Sequence, residues 1–300
     1  MAAGAPLTTA PFNIDESSER KTQPPWEWPW WHTTLRHSGT FGWITLIHAT
    51  ALVGLIMFPF PGWRLALSAL ALAWIGGIGT TVCYHRAITH RALKLNPWVR
   101  GVLIFFAVAN GSGAPVSWAS NHRLHHASAD TEDDISSPRQ GFWWAHLRWL
   151  WQAPQPSAER FVPDLSGFSY NVWTYLQPPI LALSYFGGLY FGLAAFFWLG
   201  AIRLVFALHA QCFVNSVCHT EPGVRDGQDS SRNVGWLALM HFFQGENWHR
   251  NHHSRPGLAR LGWNWHQPDA GYVIIRGLEK LGLASEVRDF RQLRSLSSEK

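Results

Sequence analysis

The sequence predicts an all-α membrane protein in which four transmembrane helices carry a cytoplasmic helical cap. Three observations point there. Charged residues make up 14% of the 300 residues, and Trp is present 19 times. A soluble domain carries roughly a quarter charged residues. Trp is enriched where one ring face meets lipid and the other meets headgroups. The third observation is the run of apolar segments, each long enough to cross a bilayer at about 1.5 Å per residue.

Taken in order, residues 1–35 read as a disordered and interfacial N-terminus, with Trp26, Trp28, Trp30 and Trp31 as anchors before the first span. Its first twenty residues have neither a basic start nor an apolar h-region, against a cleaved secretory signal. No charge occurs between Arg36 and Arg64, and 41–58 is the first span. Pro59, Pro61 and Gly62 turn the chain into a second span at 65–84. Residues 101–121 are uncharged but become rich in Gly, Ser and Ala after Ala109, which suits a buried or re-entrant helix. Residues 142–151, with five large aromatic residues beside His146 and Arg148, suit a helix lying in the interface plane. Spans three and four are expected at 178–199 and 201–219. The cap takes 85–175 and 220–300, so 36–300 forms one domain.

Charge placement orients this arrangement. The net charge is +5, and 22 of the 24 basic residues fall outside the spans on one predicted side, leaving Arg64 and Arg203 elsewhere. The positive-inside rule puts both termini and the central loop in the cytoplasm. Membrane orientation accounts for the basic balance, and nucleic acid is not needed as a partner. Cys83, Cys212 and Cys218 form no CxxC pair and sit in apolar stretches, so neither a disulfide framework nor a cysteine metal site is expected.

Nine of the sixteen histidines form a pattern on that side. HRAITH contains His85 and His90, NHRLHH contains His122, His125 and His126, and NWHRNHH contains His249, His252 and His253. His219 follows Asn215 by one helical turn in NSVCH, so both project from one face. Residues at i and i+3 or i+4 share a helix face, so HxxHH brings two or three imidazoles to one point. A five-residue step turns the second His about 140° round, which suits ligands straddling two ions. Neutral imidazole suits iron, copper, zinc or nickel, and nine imidazoles exceed what one ion can use. Two metals are the economical reading. Of the other seven, His48 and His209 read as hydrogen-bonded buried residues. His32, His37, His146, His241 and His266 read as interfacial or supporting ones.

Negative findings narrow the chemistry. Glu-x-x-His occurs once, at Glu246 to His249, whereas a carboxylate-bridged di-iron bundle needs it twice. HExxH, GxSxG, GxxxxGK and a Gly-rich dinucleotide fingerprint are all absent from the sequence. Electrons for any redox reaction must then come from another protein.

These boxes resemble those of the membrane fatty acid desaturases, and more narrowly the Δ9-type branch that includes stearoyl-CoA desaturase and the cyanobacterial and plastid acyl-lipid desaturases. The similarity runs from about Thr40 to Val287 and includes DTEDD from Asp130, GFWWAHLRWL from Gly141 and NSVCH from Asn215. The resemblance implies two irons held by His85, His90, His122, His125, His126, His219, His249, His252 and His253, with Asn215 acting through water. It implies O2 as co-substrate and an acyl-lipid or acyl-CoA chain lying in a bent apolar tunnel lined by Trp118. With no fused heme module, it implies a separate ferredoxin or cytochrome b5 as donor.

The chain departs from the family pattern at four places. Gln211-Cys212 replaces Thr-Trp near the expected tunnel wall, which makes Gln211 a substrate-lining position. Asn247 replaces Gly before the third box, Arg250 replaces Asn within it, and Ile135-Ser136 replaces Pro-His after the acidic run. Two other functions remain open to the sequence. One is a hydroxylase or ketolase built on the same centre, and the other is a His-rich metal transporter or heme protein.

Overall fold

The structure is a computed structural model describing residues 23–35 and 37–290. The expectation of disorder in the first twenty residues lies outside the described residues. Helix α1, Ser38–Met57, buries Ile44, Ile47, Ala51 and Gly54 along one stripe. It leaves Leu46, Leu52, Val53, Leu55 and Ile56 exposed. An exterior built of large aliphatic side chains suits hydrocarbon and not water.

Helix α2 runs through Trp63–Thr89, and from Gly79 to Thr89 its turns widen to π-type geometry. Such widening is common at functional sites, and here it carries His85. Gly79 permits a close approach, since a Cβ there would stand 2.4 Å from the carbonyl oxygen of Leu103. The main core gathers around this segment. Val82, Cys83 and Tyr84 are fully buried against Ala107, Val108, Ala119 and Ile275.

The expected helix over 101–121 is two helices. Helix α3, Pro97–Ala109, starts with the Asn96 side chain accepting from the Trp98 amide and with Pro97 in the first turn. Gly111 and Gly113, both at positive φ, then reverse the chain into helix α4, Pro115–Ser128. That break swings the second histidine box beneath the end of α2.

Helix α5 comprises the π-type turns Trp144–Arg148 continued by Trp149–Gln152. The N-terminal tryptophan segment packs on it and does not float free. Trp151 Nε1 donates to the Trp30 carbonyl (3.0 Å), and Gln152 donates to the carbonyls of Pro29 (2.8 Å) and His32 (3.0 Å).

Helix α6, Phe168–Phe186, contains Pro178 and Pro179. The chain then tightens at Gly187–Phe191, turns at Gly192 (φ 106°) and enters helix α7, Leu193–Cys218. The boundary expected near residue 200 therefore lies at 187–192, and the stretches expected as spans 178–199 and 201–219 fall in helices 168–186 and 193–218. Uninterrupted hydropathy hid the turn, although Gly187, Gly188 and Gly192 supply it. Among the described residues three helices, α1, α2 and α7, are long and apolar enough to cross a membrane, while α6 falls short of that apolarity and α3 is shorter. Arg203 is accommodated inside α7 by oxygens alone. It donates to Asn110 Oδ1 (2.8 Å), to the Leu199 carbonyl (2.7 Å), to the Ala109 carbonyl that ends α3, and to Ser184.

After α7 the chain forms a cap with two helices used below, α8 at His249–Ser254 and α9 at Ala270–Lys280. A two-residue antiparallel pairing of Lys94–Leu95 with Ala284–Ser285 ties the cap to the segment following α2.

Candidate metal centre

Four segments deliver the nine histidines to one place. His85 sits near the end of α2 and His90 just past it, α4 carries three, His219 immediately follows α7, and α8 carries three. They separate into two groups. One is His85, His90, His122, His126 and His252, the other His125, His219, His249 and His253, and within each group one nitrogen per residue lies within 4.8 Å of all the others. The adjacent pairs His125-His126 and His252-His253 divide between the groups, as adjacency on a helix favours.

The nitrogens meet at the spacing of ligands around a shared cation. His85, His125, His219 and His253 each direct Nδ1 at a carboxylate, those of Glu246 (2.8 Å), Asp134 (3.0 Å), Asp130 (3.0 Å) and Asp229 (2.9 Å). A carboxylate accepts the Nδ1 proton, so each of these rings presents a bare Nε2 lone pair to the interior. Yet Nε2 of His125 lies 3.1 Å from that of His219 and 3.3 Å from that of His253. Three facing lone pairs repel unless a positive ion stands among them. Ligands about 2.0–2.1 Å from a metal are separated by about 2.9–3.4 Å along the edges of an octahedron or tetrahedron. The Nε2 pairs His85–His252 (2.9 Å), His90–His122 (3.0 Å), His122–His126 (3.1 Å) and His126–His252 (2.8 Å) in the five-histidine group have the same spacing. The residues fit two metal ions.

Burial keeps the rings in their ligand form. Desolvation, reinforced by neighbouring imidazoles, pulls His90, His122, His126, His249 and His252 well below the usual 6.5. Burial brings His253 down to about 4 despite Asp229. His125 departs upward, because Asp134 outweighs the burial that would lower it. Glu246 is held at about 2: burial raises it, but the charge and hydrogen bond of His85 with Arg86 and Thr81 prevail. A histidine whose folded value lies below its unfolded one binds protons preferentially when unfolded, so stability is lost as pH falls. Chelator-treated protein should therefore show a falling thermal midpoint between pH 6.5 and about 4, the window set by His253. A midpoint flat across that window would contradict the buried neutral cluster.

Two arginines fix the frame. Arg86, fully buried, donates to the carbonyls of Ala259 and Gln244 (both 2.8 Å) and faces Asp269 at 2.8 Å, joining the first box to the cap. Arg123 donates to the last carbonyls of α2, Ile88 and Thr89 (both 3.0 Å), and pairs with Asp164, which seats His90 beside His122. A groove lined by Thr89, His90, Arg91, Arg123, His126, Pro256 and Gly257 reaches the five-histidine group from the surface.

The other residues expected at the site are placed as follows. Asn215 stands one turn before His219 on α7. Trp118 stacks on His122 with centroids 4.8 Å apart and lies 5.9 Å from His85. Gln211, one turn further from the centre, accepts from Ser112 Oγ (3.1 Å), itself 2.8 Å from Thr80 Oγ1. The motifs assign no role to the four carboxylates behind the rings, and a signal exists for two of them, Asp130 and Asp134. Their signal was the acidic run at Asp130 to Asp134 just after a histidine box, in a chain with only 19 acidic residues.

Three of the remaining histidines form a chain of their own. His48 Nδ1 lies 2.7 Å from the Ile44 carbonyl, His48 Nε2 3.0 Å from His209 Nε2, His209 Nδ1 2.8 Å from His146 Nε2, and His146 Nδ1 2.9 Å from Ser216 Oγ. The Ile44 carbonyl can only accept, so His48 Nδ1 carries a proton there, while at the far end the Ser216 hydroxyl donates to the Cys212 carbonyl (3.0 Å). His241 pairs with the Ala210 carbonyl at 2.6 Å.

Comparison with known proteins agrees with the centre. The family model "Fatty acid desaturase" matches residues 61–278. The chain is 36% identical over 256 residues to Delta-9 acyl-lipid desaturase 1 of Arabidopsis thaliana, covering 81% of this chain and 80% of that protein. It is 34% identical over 253 residues to an sn-1 stearoyl-lipid 9-desaturase of Anabaena variabilis, covering 81% and 90%. It is 33% identical over 281 residues to an icosanoyl-CoA 5-desaturase of Limnanthes douglasii, covering 90% and 76%. With all nine histidines converging inside the matched region, the chain belongs to the fatty acid desaturase family.

Proposed function

We propose that the protein is an O2-dependent acyl desaturase that introduces a cis double bond, at Δ9, into a saturated acyl-lipid or acyl-CoA chain. The observation that carries this reading is the pair of convergent imidazole groups backed by carboxylates. Two irons fit the all-nitrogen donor set, and when bound they supply the power to reduce O2 and remove hydrogen from an unactivated methylene pair. The reaction takes one O2, two hydrogens from the chain, two electrons and two protons, and yields the alkene and two waters. The nine histidines hold the metals, and Asn215 orients a water at the four-histidine position. Neutral rings bring no charge of their own to the ions, so the negative charge nearby is that of the carboxylates behind them. Trp118, stacked on His122, forms one wall against which the chain bends, and Gln211 with Ser112 forms a wall further along. Electrons come from a separate ferredoxin or cytochrome b5.

Four spans, with α6 joining the three apolar helices, put the termini and the centre on the cytoplasmic side. The placement of 22 of 24 basic residues supports that orientation. A transporter or a heme protein wants ligands at mid-membrane, whereas these histidines gather at helix ends.

Expression in a desaturase-deficient host with ferredoxin, followed by mass spectrometry with double-bond localisation, tests the proposal. A Δ9 monoene is the expected product. Hydroxy acids without new alkenes would replace it with the hydroxylase or ketolase, and active protein holding zinc but no iron would remove the diiron assignment. Replacing Gln211 with Thr should change the chain-length preference or bond position by several-fold. An unchanged product profile would leave Gln211 as packing.

A further inference from the structure

The two histidine groups differ in what stands behind them. Three of the four rings in the smaller group rest on carboxylates: His125 on Asp134, His219 on Asp130 and His253 on Asp229. Among the described residues no arginine or lysine nitrogen comes within 4.0 Å of any of the three, whose only ion-pair partners are these histidines. In the larger group one ring of five, His85, rests on a carboxylate, Glu246 (2.8 Å). That carboxylate faces a cation, with Arg86 4.0 Å away.

Geometry reinforces the contrast. Asp130 and Asp134 are fastened so that their charge cannot swing away. Asp130 Oδ2 accepts from the Ser230 amide and hydroxyl (both 2.8 Å) and Oδ1 from Ser137 (2.7 Å). Asp134 accepts from the amides of Asp130 (2.9 Å) and Ser136 (3.0 Å). Asp229 is held by the Ser231 amide at 2.8 Å. A carboxylate fixed behind a ligand imidazole makes that imidazole a stronger donor and places negative charge one ring away from the metal. Such surroundings favour the more highly charged ion.

We infer that Asp130, Asp134 and Asp229 make the two metal positions electronically unequal, so that the four-histidine position holds its ion in the trivalent state more strongly and the five-histidine position takes the first electron. The three aspartates are positioning residues, acting through His219, His125 and His253. Each position accepts one electron in turn, and no bond in the protein is made or broken. The inference rests on the proposed two-iron reading, and it adds an order to the reduction.

A potentiometric titration of the iron-loaded protein with dithionite, followed by Mössbauer and EPR spectroscopy, tests it. The wild type should be reduced in two separated one-electron steps through a mixed-valence state. Asp229→Asn keeps the shape and removes one charge, and should raise the lower step alone. The separation then narrows by about tenfold in the equilibrium constant, or about 59 mV for one electron. Glu246→Gln should raise the upper step alone and widen the separation, and Asp229→Glu should restore the wild-type spacing.

Iron content provides the control, since two irons per chain in each variant show a folded centre. Should Asp229→Asn fail to retain them, Asp134→Asn takes its place with the same expected narrowing. Coincident steps in the wild type, a widened gap in Asp229→Asn, or equal shifts of both steps would overturn the inference while leaving two irons in place. A protein that takes up fewer than two irons would instead overturn the underlying reading.

Discussion

His125→Ala is expected to leave no measurable desaturation while the protein still inserts in the membrane. The ring belongs to the four-histidine group, with Nε2 3.1 Å from that of His219 and 3.3 Å from that of His253. Alanine removes one donor of four and strands the Asp134 carboxylate, which keeps only its two backbone amides and the Ser136 hydroxyl. The five-histidine group shares no ligand with it, so metal content should fall to about half and not to zero. Helix α4, which bears His125, is none of the three membrane-length helices, so insertion has no reason to fail. Iron analysis beside a product assay checks both parts. Full activity in this variant would sink the metal assignment.

Arg86→Ala should have the largest effect on folding. The guanidinium is 1% exposed and bridges α2 to the cap through the carbonyls of Gln244 and Ala259 and the carboxylate of Asp269. Removing one partner of a buried ion pair costs about 3–5 kcal/mol, because the other charge is left unpaired in a low-dielectric interior. Here Asp269 loses its cation, and Glu246, which orients His85, loses the positive charge 4.0 Å away. Lysine should not rescue it, since a single ammonium cannot reproduce donors spread over a planar fork. Gly245 and Gly271 leave room for that fork, as a Cβ at either would come within 2.9 Å of Arg86 Nη2. Thermal unfolding in detergent, with the yield of monodisperse protein, measures the loss. A midpoint within a few degrees of wild type would show that the cap docks without this clamp.

What could be read in advance follows from which interactions are local. The histidine boxes were legible because metal ligands on a helix must obey its period, so spacing alone exposes His122, His125 and His126. The first two membrane helices were legible because Pro59, Pro61 and Gly62 interrupt an otherwise uncharged stretch. The turn at 187–192 was not, because hydropathy averages across glycines that are themselves neither polar nor charged. The split of the expected helix near residue 110 escaped for a similar reason. Gly111 and Gly113 looked like poor lipid-facing material, while their φ values above +80° are a tertiary fact. Two of the carboxylates behind the histidines were hidden by distance in sequence. Asp130 reaches His219 across 89 residues, and Glu246 reaches His85 across 161. Arg86 and Arg123 stood in plain view inside the boxes, but nothing local says that one grips the cap and the other the end of α2.

The convergence of four distant segments on two points also has a meaning in polymer terms. His85 and His252 are separated by 167 residues, so a single ion held by both acts as a cross-link closing a loop of that length. A covalent link closing such a loop lowers the entropy of the unfolded chain by the equivalent of about 5 kcal/mol. Helices α3 to α7 all lie within that loop. Metal binding would thus close the chain topologically, whereas without metal it is joined at that point by Arg86, by the His85–Glu246 contact and by packing.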